Sequence, residues 1–74
     1  MIIAQYKKDA ARSALNKLRT VEPFTDNELR FGIDVIKNIL EVLDTSDHRF
    51  YLVQAELHRN LLELERIQEN RNRD

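Results

Sequence analysis

The stretch from Leu29 to Leu43 constrains the fold more than any other part of this chain. At 100° per residue, Leu29, Ile33, Ile36, Leu40 and Leu43 form one helical stripe, and Phe31, Val35, Ile39 and Val42 fill the adjoining one. The combined apolar arc covers roughly 200° of the wheel. A helix so apolar cannot be covered by a single neighbour. It needs either two further helices of its own chain or one helix and a second protein. Gly32 lies within the arc, where glycine costs ~1 kcal/mol relative to alanine. Close approach of another helix is the expected reason.

The start of this helix is marked by PFTDNELRF. Thr25 followed three residues later by Glu28 makes a capping box, and Phe24 and Leu29 flank it as a hydrophobic staple. Pro23 steers the residue before it out of the helical region, so the preceding helix should end by about Val21. The other boundary is the polar run Asp44, Thr45, Ser46, Asp47, in which Thr45 or Ser46 is the expected cap of a third helix. The spacing predicts three helices, at 2–20, 26–43 and 46–69, forming one all-α domain over residues 1–70. The short connection between the last two predicts a long antiparallel hairpin with the first helix packed across it. Beyond Leu64 the apolar pattern continues only to Ile67, so residues 71–74 read as a frayed polar tail.

The outer helices differ in character. The first places Ile3, Tyr6, Ala10, Ala14, Leu18 and Val21 on one side, widened by Ala11 and Leu15, with Lys8, Arg12 and Arg19 opposite. The third carries two apolar lines. Phe50, Val53, Leu57, Leu61 and Leu64 are the expected core face, while Tyr51, Ala55, His58 and Leu62 run roughly 120° away. One bundle of three short helices cannot readily bury both lines. The second is therefore read as a contact surface, to which the surplus arc of the middle helix adds Phe31 and Val35.

Size sharpens this expectation. A chain of 74 residues buries only about 60% of the surface exposed by its unfolded form, so a partner is a natural source of further stability. A homodimeric helical bundle is the expected assembly, with a heterologous protein as a further partner. The chain contains no cysteine, which excludes disulfide staples and thiolate metal sites and points to a reducing cytoplasm. No stretch reads as a signal peptide or membrane span. Net charge is −1, but residues 1–20 carry +4 and the remainder −5. Attraction between these segments is expected, within the fold or between subunits.

Catalytic signatures are not found in the sequence. His48 and His58 stand in no metal-binding spacing, and no serine is accompanied by a histidine and an acid in a nucleophile pattern. No enzymatic activity, cofactor or metal is expected. Lys8, Arg12 and Arg19 fall within about 40° of one another and form the only credible phosphate-facing surface. The third helix, acidic through Glu56, Glu63, Glu65 and Glu69, is unsuited to nucleic acid. The favoured expectation is a small protein-binding regulator, adaptor or inhibitor of bacterial or phage type. A nucleic-acid-binding regulator using the basic first helix is the alternative.

Overall fold

The computed structural model describes residues 3–43 and 48–73, which contain three α-helices, a short 3-10 turn and no strand. The helices are α1 (Gln5–Thr20), α2 (Asp26–Val42) and α3 (Tyr51–Asn72), with the 3-10 turn at His48–Phe50. Both outer helices pack on α2, as its two-stripe pattern requires. The described helices agree with the all-α expectation, and no helix among them is long and apolar enough to cross a membrane.

The capping box forms at the start of α2. The Glu28 N–H donates to the Thr25 hydroxyl at 3.1 Å, and the Thr25 N–H donates back to the Glu28 carboxylate at 2.8 Å. Glu28 also anchors α1, because it accepts from Lys17 at 2.6 Å and from the Ser13 hydroxyl. With Lys17 and Ser13 as the main causes, and the Thr25 backbone behind them, these donors hold the Glu28 carboxyl down at about 2, against an ordinary 4.5. A second bridge joins Lys7 to Asp34 at 3.2 Å. The basic first segment is thus paired with acidic residues of α2 inside the fold.

The core lies where the three helices converge. Ala14, Leu29, Ile33, Ile36, Leu61 and Leu64 form its centre, flanked by partly buried Leu15, Leu18, Phe24, Leu40, Leu57 and Ile67. Leu29, Ile36 and Leu64 are almost wholly enclosed, and burying each contributes about 1.5–3 kcal/mol. Gly32 sits at the crossing. A methyl group built there would stand 3.2 Å from the Ala14 Cβ and 3.3 Å from a Leu64 methyl. The glycine therefore allows α1 and α3 to approach α2 at one level.

Several boundaries differ from those read in the sequence. Ile3 and Ala4 precede α1, whose N-cap, Ala4, supplies no side-chain acceptor. Val21 closes α1 in the left-handed region at φ 56°, donating its N–H to the Lys17 carbonyl. The reversal before Pro23 turns Val21 off the apolar stripe, leaving it 90% exposed. Residues 48–50 form a 3-10 turn, so α3 starts at Tyr51, later than position 46; the proposed caps Thr45 and Ser46 lie outside the described residues.

At its other end α3 reaches Asn72, past the position where the fading apolar pattern predicts fraying. Arg71 supplies a polar tether that hydrophobic periodicity does not register. It donates to Asp26 at 2.9 Å and to the Phe24 carbonyl at 2.6 Å. The core face of α3 is correspondingly displaced toward its C-terminus. Leu57, Leu61, Leu64 and Ile67 pack on the core, while Phe50 and Val53 remain 40% and 47% exposed.

Candidate protein-interaction surface

The second apolar line of α3 remains on the surface. Tyr51, Ala55 and His58 are exposed, and Leu62 keeps more than half its surface. Their spacing places them along one side of the helix, since successive members are three or four residues apart. Tyr51, Ala55 and His58, with Gln54, line a shallow concavity of about 390 Å³. Its lining is mainly apolar with polar groups from Tyr51, Gln54 and His58 among it, which is chemistry suited to a protein contact.

Phe31 and Val35, assigned to the same contact surface from the sequence, lie under cover from their own chain. Phe31 is half-buried beneath Tyr6, with the rings edge to face at 5.4 Å and Lys7 and Arg30 near the Phe31 ring. Val35 is only 4% exposed. At Phe31 and Val35 the surplus apolar arc of α2 is covered by intramolecular packing, which leaves Val35 almost no surface for a partner.

Leu52 is the residue that stripe analysis misses. It belongs to neither line of the third helix, yet it is 77% exposed. The signal was the run Phe50, Tyr51, Leu52, Val53: four consecutive apolar residues point around a full helical turn, so one neighbour cannot cover them all. Val42, at the end of α2, is also exposed.

The basic side of α1 forms a separate surface. Lys8, Arg12 and Arg19 are exposed, and none has an ion-pair partner among the described residues. Arg12 and Arg19 border a groove between α1 and α3, which Leu15, Asn16, Glu56 and Asn60 complete. The carboxylate of Glu56 opposes anions in that groove. Among the described residues no cluster of three or more histidine, aspartate or glutamate side chains is arranged as a metal site. Comparisons with protein-family models, curated proteins and solved structures find no match.

Proposed function

We propose that the chain is a small non-enzymatic protein-binding regulator, adaptor or inhibitor of bacterial or phage type, acting in the cytoplasm through its helical surfaces. In this reading α2 and α3 make an antiparallel hairpin with α1 packed across it. The pairing of Asp26 with Arg71, and the proximity of Gly32 to Leu64, support that direction.

The observation that carries the proposal is the exposed line Tyr51, Ala55, His58 and Leu62. Folding covers the other large apolar face of α3 from Leu57 onward but leaves this line open. An amphipathic helical strip of this kind is a common protein-recognition element. Quantitative capture should compare the wild-type chain with Leu62→Glu and with Arg12→Glu/Arg19→Glu. A specific protein retained by the wild type and lost with either surface variant, at unchanged helix content, supports the reading. Indistinguishable bound fractions would refute it.

Lys8, Arg12 and Arg19, exposed and without an ion-pair partner among the described residues, favour a second reading, direct nucleic-acid binding through α1. That reading requires labelled DNA or RNA to bind with an affinity falling steeply with salt, and Arg12→Glu to weaken it. Salt-insensitive or undetectable binding would remove it.

A further inference from the structure

The occupant of the α3 surface follows from spacing, shape and area, taking that line as a contact surface. Its residues are separated by four, three and four positions, a pattern identical from either end. A two-fold axis crossing the helix between Glu56 and Leu57 therefore brings the line onto itself, as a closed dimer requires. Parallel pairing would set Ala55 against Ala55 and His58 against His58. Antiparallel pairing sets each small residue against a large one, and the concavity over Ala55 offers room for the incoming side chain.

The chain as a whole also exposes more surface than a compact monomer of its mass. A folded monomer of 8.8 kDa should expose about 4,800 Å². This chain exposes 5711 Å² and extends over 40 × 23 × 22 Å. The excess, about 900 Å² over the whole elongated chain, leaves room for a contact of the about 800 Å² that each partner contributes to a standard interface. We infer that two copies of this chain pair through α3 in antiparallel register, with Tyr51 opposite the second copy's Leu62 and Ala55 opposite its His58. The basic side of α1 then remains open to a different protein.

The natural lack of cysteine permits a direct test of register. Tyr51→Cys and Leu62→Cys chains are prepared separately, checked for native helix content, and oxidised alone and after mixing under conditions that permit subunit exchange. In the inferred register, identical positions are displaced by about 16 Å along the helix. That separation exceeds the ~7 Å disulfide limit between Cα atoms. A disulfide dimer should form in the mixture and be at least about tenfold less abundant with either chain alone. Efficient self-linking by one variant, or no linking in the mixture, would overturn the inference. If linking fails while protein capture still depends on Leu62, self-pairing falls and the broader protein-binding reading stands.

Discussion

Replacing Gly32 by alanine tests the point at which the three helices converge. Inside an exposed helix, glycine to alanine should stabilise by about 0.8–1 kcal/mol. Here the added Cβ would meet Ala14 and Leu64 at 3.2 and 3.3 Å, tighter than ordinary van der Waals contact. The Ala14 Cβ cannot rotate away, and Leu64 is fully enclosed. Relief therefore requires α1 or α3 to move, with an overpacking cost of about 1–3 kcal/mol. Combining these terms, Gly32→Ala should destabilise by about 1 kcal/mol. Ala14→Gly should recover about 1 kcal/mol of coupling in the double variant. Urea unfolding followed by far-UV circular dichroism, at one protein concentration, measures all four corners of this cycle. If Gly32→Ala stabilises by the full helix-propensity gain and the effects add, the helices do not approach as described.

Glu28 should make stability pH-dependent: with its folded carboxyl at about 2 against 4.5, its contribution is present above 4.5 and disappears as pH falls toward 2. The contribution should be about 1–2 kcal/mol after solvent screening, and Glu28→Gln should flatten the corresponding urea-midpoint profile; parallel wild-type and variant profiles would contradict this. Val21→Gly should raise stability by about 0.5–1 kcal/mol, because an exposed β-branched residue leaves the left-handed region without losing core contacts; a lower melting temperature would count against strain there. Arg71→Ala should increase amide exchange over the last turn of α3 while leaving Leu61 and Leu64 protected, since its partners Asp26 and Phe24 lie at the start of α2; unchanged terminal exchange would show that this tether is dispensable.

The middle helix was the most legible element in the sequence because several local signals agree there. Thr25 and Glu28 specify its start, the two apolar stripes require two neighbours, and Gly32 marks their close approach. Periodicity reports which residues share a helix face but not how far neighbouring helices overlap. Phe50 and Val53 therefore shared the spacing of Leu57 and Leu61 without sharing their burial. Val35 was misplaced for the converse reason, since an apolar arc does not reveal which part its own chain covers. Lys8, Arg12 and Arg19 were legible as a surface because their charges oppose the apolar side of α1. Their separation from Lys7 and Lys17, which pair with α2, depended on three-dimensional contacts.

Sedimentation equilibrium of the wild-type chain and Leu62→Glu, across a wide concentration range, tests the role of α3 most directly. The wild type should reach twice its 8.8 kDa chain mass. Leu62→Glu should remain at the single-chain mass with unchanged helix content, its association weakened at least about 100-fold by placing a carboxylate in each half of the contact. A wild-type chain that stays monomeric throughout, or a variant that associates as tightly as the wild type, would contradict pairing through this surface.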